Sequence, residues 1–135
     1  MCAPTVILDL IKSSILPALR AGKDVILDRF WWSTWVYGKV SGVDHDSLEA
    51  MRRLELSSWS GILPYLFFLI HRSSPINRNE PLDLWNRLAA EYRLLAKEEE
   101  EKYPVRLIKN EGSVTDSVEQ IVLLIRSRKD TQAHS

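Results

Sequence analysis

The spacing of apolar residues changes along the chain, and these changes predict its elements. From Pro4 to Ala21, apolar residues recur every three or four positions, which is typical of an amphipathic helix that stops at Gly22. Pro17 within this span predicts a kink, or a restart with Pro17 in the first turn of a shorter helix. The continuous apolar run that follows predicts a buried strand, Val25–Asp28.

Two helices are predicted between this strand and the next one. The segment Ser33–Lys39 is partly helical, and the side chain of Ser33 can cap it. Asp46 opens the second helix, because Asp46 and Glu49 have the spacing of a capping box. This helix runs to about Trp59, before glycine and proline residues end it.

The second half of the chain alternates strands with helices. The runs Tyr65–Ile70 and Val105–Ile108 predict the second and third strands. Between them, Pro81 begins a helix with one continuous apolar stripe. This helix frays into the acidic run Glu98–Glu101, which is interpreted as a solvated helix end because its charge opposes the helix dipole.

Strands separated by helices along the whole chain indicate βαβ crossovers. The predicted fold class is therefore α/β, a three-layer parallel sheet with helices on both faces. A turn at Asn110–Ser113 leads into the last helix, which loses its apolar positions beyond Arg126. Residues 1–127 are predicted to form a single domain, and residues 128–135 a polar, flexible tail.

Composition narrows the class of protein and of partner. The chain has 135 residues, of which 45% are hydrophobic and 27% charged, as in ordinary globular proteins. Eighteen basic residues balance eighteen acidic ones, so no global field favours nucleic acid or an anionic membrane. Cys2 is the only cysteine, which excludes an intrachain disulfide and agrees with a cytoplasmic location. No apolar run reaches membrane-spanning length.

Asp28 and Arg29 are the first candidates for chemistry, because they follow a predicted buried strand. Ligands of open α/β sheets bind just beyond the carboxyl ends of the strands. A guanidinium binds phosphate oxygens in a bidentate fork, and a carboxylate holds magnesium directly or through water. The alternative is a structural salt bridge or a helix-terminus contact.

Five aromatic residues crowd the eight positions after Arg29. They are Phe30, Trp31, Trp32, Trp35 and Tyr37. Such rings can stack on a nucleobase, and Ser33 or Thr34 can add a hydrogen bond to its edge. The alternative is that most of these rings pack in the core.

Two further clusters carry charge. Arg72 and Arg78 flank the loop after the second predicted strand and could fold over an anion, as mobile electrophiles in phosphoryl transfer do. The alternative is a pair of solvated loop arginines. A metal cluster at Asp44–Asp46 is disfavoured, because adjacent residues rarely converge on one ion and Asp46 already has a predicted capping role.

Three stretches of this sequence resemble the thymidylate kinase family of nucleoside monophosphate kinases. They are Ile15–Gly22 before the first predicted strand, Val25–Phe30 with Ser33, Tyr37 and Gly38, and Pro64–Leu66 at the start of the next strand. The likeness extends over nearly the whole chain up to the last helix. It implies a P-loop kinase-like fold that is incomplete at the N-terminus.

The resemblance implies roles for single residues. Arg29 would hold the acceptor monophosphate, and Asp28 would help to place Mg²⁺. Ser33 matches a position near the base, and Tyr37 one that lines the thymine pocket. Two further groups match family positions: Arg72 and Arg78 the lid arginines, and Asn110, Gly112 and Ser113 the turn near the adenine of ATP.

Two features of the sequence depart from the family pattern. Tyr65 stands where the family usually has an aspartate, and the sequence contains no G-x-x-x-x-G-K-[ST] phosphate loop. In the family this loop follows a strand that lies between the two predicted strands at Val25 and Tyr65. The expectation is a fragment of a longer kinase, the product of a late start codon, or a rearranged remnant.

Three functions are therefore expected as alternatives. In the first, the intact protein transfers a phosphoryl group from ATP to dTMP or a related (deoxy)nucleoside monophosphate, and this chain is inactive alone. The second is a non-catalytic nucleotide-binding or interaction module that lost the phosphate loop. In the third, unpaired strand edges recruit a second copy or another strand-complementing chain by β-augmentation.

Overall fold

The computed structural model describes residues 4–73 and 81–133. The chain divides into two compact units, Met1–Leu63 and Pro64–Ser135, and the single domain expected from the sequence stays a prediction. The first unit contains α1 (Pro4–Leu10), a π-helical segment (Ile11–Ile15), α2 (Leu16–Arg20), α3 (Trp31–Val40) and α4 (His45–Ser58). The second contains β1 (Phe67–His71), α5 (Leu82–Glu99), β2 (Val105–Lys109) and α6 (Val114–Ala133).

Pro17 explains the break in the first helical stretch. Pro17 has no backbone N–H and occupies the first turn of α2, where none is needed. The π-helical segment before it absorbs the change of register, because Leu16 N–H donates to Ile11 O, five residues back. The predicted restart at Pro17 is confirmed, and α2 ends in a left-handed Gly22 with φ +80°.

A small core holds the helices of the first unit together. Its buried members are Ile11, Ile15, Leu16 and Trp59. The ring of Phe30 packs on this cluster, with its centroid 5.7 Å from that of Trp59. The close pairing of α3 and α4 depends on Gly38, because a Cβ there would lie 2.6 Å from Leu48 Cδ2.

The predicted strand Val25–Asp28 does not form, and residues 23–27 adopt no regular secondary structure. Val25 packs against the core, whereas Ile26 is 94% exposed and Leu27 38% exposed. A parallel strand needs a neighbour for its N–H and C=O groups, and the described part of the first unit offers none. Apolar character alone therefore did not make this segment a strand.

Both predicted caps in the first unit were also misplaced. Helix α3 begins at Trp31 with Phe30 at its N-cap, so Ser33 lies inside the first turn and does not cap it. Helix α4 begins after Asp44 rather than at Asp46, because the Asp44 carboxylate accepts from Ser47 N–H and Ser47 Oγ, each at 2.9 Å. These two hydrogen bonds lower the pKa of Asp44.

The second unit contains a parallel strand pair joined by a helical crossover. β1 and β2 pair in parallel, with Phe67 opposite Val105 and His71 opposite Lys109, and α5 connects them. The predicted second and third strands and their parallel βαβ relation are therefore confirmed. Among the described residues the sheet has these two strands, and the three-layer architecture stays a prediction.

Helix α5 ends in a buried acid. Glu99 is only 3% exposed, and its carboxylate pairs with Lys102 Nζ at 2.7 Å and accepts from Tyr103 Oη at 3.4 Å. The prediction of a solvated acidic end is wrong at this residue, because the chain folds back after α5 and covers it. Tyr103 is itself buried and lies beside Phe67 of β1.

Helix α6 begins with a reciprocal cap. Ser113 Oγ accepts from Asp116 N–H at 3.2 Å, and Asp116 Oδ2 accepts from Ser113 N–H at 3.3 Å. The helix continues to Ala133, so residues 128–133 of the predicted flexible tail are helical. Polar residues such as arginine, lysine and glutamine favour helix, and the end of the apolar stripe marked only the end of burial. In the described ranges, no helix combines the length and apolar character needed to cross a membrane.

Candidate functional site

Asp28 and Arg29 form an exposed turn that leads into α3. Arg29 has φ +74°, a left-handed conformation that is uncommon outside glycine. Holding a residue with a Cβ there costs about 1–2 kcal/mol, and such strain is concentrated at functional sites. Neither side chain forms a hydrogen bond or ion pair within residues 4–73 and 81–133, so the structural salt bridge considered as the alternative is not formed there.

The N-terminus of α3 adds a partial positive charge next to Arg29. No side chain caps this helix, since Phe30 at the N-cap makes no side-chain hydrogen bond. Ser33 N–H already donates to Phe30 O at 3.2 Å, and the helix dipole favours an anion at such an end. A guanidinium and a helix N-terminus that are adjacent in the chain suit a phosphate group.

The predicted base-binding residues divide between two faces of α3. Ser33 and Tyr37 are four residues apart and share one face, on which Tyr37 is 42% exposed. Thr34 lies on a different face and lines a small cavity. Phe30 packs against Trp59, so its ring is part of the core. The structure therefore groups Ser33 and Tyr37 and separates Thr34 from them.

The cavity lies among α1, α3 and α4 and measures about 50 Å³. The guanidinium of Arg52 stands over the rings of Trp31 and Trp35, with Cζ 5.6 Å and 5.4 Å from their centroids. Trp31 Nε1, Arg52 Nε and Glu55 Oε2 are buried without a hydrogen-bond partner in the described structure. Burial raises the pKa of Glu55. A cavity of this volume suits ordered water rather than a nucleobase.

Arg52 and Glu55 were missed in the sequence. The available signal was their position, because they continue the helical spacing of the cavity-lining Leu48 and Met51 on α4. A charged residue on an apolar stripe is normally paired, and Arg52 Nη2 does donate to Glu49 at 2.9 Å. This contact marks Arg52 as a packing residue that also closes the cavity.

In the second unit, charged groups lie at the carboxyl ends of β1 and β2. Arg72 directly follows β1, is partly buried, and has an Nε that lacks a partner among the described atoms. Ser73 N–H donates to Glu111 Oε1 at 2.9 Å. Arg78, the other predicted lid arginine, falls outside the described residues. Glu111 was not identified from the sequence.

The predicted adenine-binding turn is engaged in starting α6. Asn110 Oδ1 accepts from Ser117 Oγ at 2.9 Å, and Ser113 forms the helix cap. A Cβ at Gly112 would lie 2.8 Å from Asp116 Oδ2, so the close approach of Asp116 accounts for glycine there. The polar groups of Asn110 and Ser113 are therefore engaged in holding the start of α6.

Few side chains suited to a metal ion lie together in the described part of the chain. No group of three or more His, Cys, Asp or Glu side chains in this part of the chain could hold a metal ion. Asp28 supplies a single exposed carboxylate, which suits Mg²⁺ only where phosphate oxygens complete the coordination. The sequence also lacks the glycine-rich loop whose N–H groups would cradle a triphosphate.

No protein-family model matches the sequence, and no curated protein gives a significant match.

Proposed function

We propose that the first unit binds the phosphate of dTMP or a related (deoxy)nucleoside monophosphate, as the acceptor site of a thymidylate kinase-like protein. The observation that carries this proposal is the conformation of Arg29. It is an exposed arginine at φ +74°, has no partner within the described residues, and directly precedes an uncapped helix N-terminus. Such an arrangement stores strain and leaves a charge unneutralised until an anion binds.

The chemistry of the turn favours a phosphate monoester. Arg29 supplies a planar fork of N–H donors that matches two phosphate oxygens, and the α3 N-terminus adds peptide N–H groups. Hydrogen bonds to a charged group contribute about 1.5–3 kcal/mol each. Loss of the guanidinium is therefore expected to weaken monophosphate binding about tenfold or more, since 1.4 kcal/mol is a factor of ten.

The exposed face of α3 supports a nucleoside attached to that phosphate. Tyr37 lies eight residues after Arg29, about two helical turns along the chain, and offers an exposed ring on the face it shares with Ser33. Aromatic rings stack on bases with little regard to sequence, at about 1–3 kcal/mol per base. The ring and the hydroxyl of Ser33 are the proposed base contacts, and the small cavity beside Thr34 is not.

We assign phosphoryl transfer to the thymidylate kinase family that the chain resembles, and not to these residues alone. We expect negligible turnover of dTMP and ATP, because a glycine-rich phosphate loop is missing from the sequence and the Asn110–Ser113 turn is already engaged. The same two observations favour the second candidate, a nucleotide-binding module without catalysis. Measurable turnover by these residues would contradict both expectations.

Calorimetry with dTMP tests the binding proposal. The wild-type chain is expected to bind in the micromolar to millimolar range, and Arg29→Ala to weaken binding by about tenfold or more. Arg53→Ala is the matched control. The Arg53 side chain is 76% exposed on α4, and the substitution removes the same charge from the same unit. Equal losses in the two variants, or no binding by the wild type, would refute the proposal.

A further inference from the structure

Charged side chains converge where β1 and β2 end. The parallel register places His71 opposite Lys109, so the residues that follow both strands emerge at the same edge of the sheet. Ser73 lies two positions after the end of β1, and Glu111 two positions after the end of β2. The contact between Ser73 N–H and Glu111 Oε1, at 2.9 Å, joins the two chain segments across this edge.

The carboxylate of Glu111 lies in surroundings that favour a negative charge. Its pKa is held below the usual value by hydrogen bonds from the hydroxyl and the N–H of Ser73, and further by the positive charge of Lys109. Arg93 Nη2 donates to His71 Nε2 at 3.2 Å and brings a second cation, beside Lys109, to the same edge. One carboxylate thus meets the Ser73 N–H donor at an edge that also carries basic side chains.

We propose that this edge of the second unit is an anion-binding site that Glu111 occupies from within the chain, and that a phosphate dianion displaces the Glu111 carboxylate. The ligand class is a phosphate monoester or inorganic phosphate. A dianion offers more acceptor oxygens and more charge than one carboxylate to the Ser73 donors and to Lys109. The site belongs to the second unit and does not depend on the proposed acceptor site at Arg29.

The exposure of the contact makes this exchange feasible. The Ser73–Glu111 hydrogen bond is exposed to solvent, and Glu111 is itself exposed. Exposed charge contacts contribute little net stability, so a solute anion has little to overcome when it replaces the carboxylate. Arg72, between His71 and Ser73, adds a buried Nε without a partner among the described residues.

The competing interpretation is a purely structural latch between the two chain segments. A latch is weakened when Glu111 is changed, and phosphate does not substitute for it. An anion site behaves in the opposite way, because removing the internal negative charge leaves a weaker competitor for phosphate. The two interpretations therefore predict different phosphate affinities for the same variant.

Phosphate titrations of the full chain, monitored through the Ser73 amide by ¹⁵N NMR at constant ionic strength, distinguish them. We expect weak binding by the wild type and at least fivefold tighter binding by Glu111→Gln, with Ser73 among the most shifted amides. Glu119→Gln removes the same charge from an exposed position of α6 and should bind as the wild type does. The double variant with Lys109→Gln and Glu111→Gln should lose this gain in phosphate affinity.

Unchanged affinity in Glu111→Gln, or an equal gain in Glu119→Gln, would overturn the proposal. If Glu111→Gln does not fold, the wild-type titration decides, because the proposal requires phosphate to shift the Ser73 amide and chloride at equal ionic strength not to. Parallel titrations with dTMP and ATP identify the source of the anion. Tighter binding of a nucleotide than of inorganic phosphate assigns the site to a nucleotide phosphate, and equal or weaker binding assigns it to the free ion.

Discussion

Replacing Arg29 with glycine should separate the stability of the first unit from its ligand binding. Arg29 has φ +74°, and a left-handed conformation costs a residue with a Cβ about 1–2 kcal/mol. Glycine removes this cost but loses about 0.5–1 kcal/mol through greater freedom in the unfolded chain. The net expectation is a stabilisation of about 0.5–1 kcal/mol, accompanied by about tenfold weaker dTMP binding.

The structure offers a matched control at Ser60. It is the other described non-glycine residue with a positive φ, at +54°, and it has no proposed part in binding. Ser60→Gly should therefore stabilise the unit to a similar extent and leave dTMP affinity unchanged. In a domain of this size the gain corresponds to a rise in melting temperature of about 2–8 °C, measurable by circular dichroism.

The result that refutes this reasoning is specific. If Arg29→Gly lowers the melting temperature while Ser60→Gly raises it, Arg29 does not hold a strained conformation in solution. If Arg29→Gly raises the melting temperature and binds dTMP as the wild type does, the strain is real but serves no phosphate site.

Three further changes test the packing and the caps. Gly38→Ala places a Cβ 2.6 Å from Leu48 Cδ2 in the core, and urea titration should show a loss of about 1–3 kcal/mol. Burial raises the pKa of Glu55 above its ordinary 4.5. The free energy of unfolding of the wild type should therefore fall as pH rises from about that value through the raised pKa. Glu55→Gln should remove this pH dependence in urea titrations, and an unchanged slope would contradict the assignment. Ser113→Ala removes the α6 cap and should cost about 1 kcal/mol in thermal unfolding, whereas a loss of nucleotide binding without a loss of stability would restore the adenine-contact role.

The sequence was informative where local chemistry is sufficient. Pro17 predicted the restart of α2 because its missing N–H has a local consequence, and the runs before His71 and after Pro104 became paired strands because each supplies a partner for the other. The same apolar signal failed at Val25–Asp28. A strand requires hydrogen bonds from a neighbour, and no local pattern shows whether that neighbour exists.

The candidate sites were predictable only in part. The Asp28–Arg29 pair could be identified by residue type, but the left-handed φ of Arg29 had no signal in the sequence. The cap of α4 was assigned to Asp46 and not to Asp44, because both are acceptors and only the position of Ser47 decides between them. The contact between Ser73 and Glu111 joins residues far apart in sequence, so it depended on the parallel register.

The most direct test of the account is to locate the dTMP site by NMR. Titration of the full chain with dTMP should shift the amides of Arg29, Trp31 and Tyr37 most strongly, and thymidine, which lacks the phosphate, should lose the effect at Arg29 and Trp31. A titration in which these amide signals do not shift, or in which thymidine and dTMP give the same shifts, would contradict an acceptor phosphate site at Arg29.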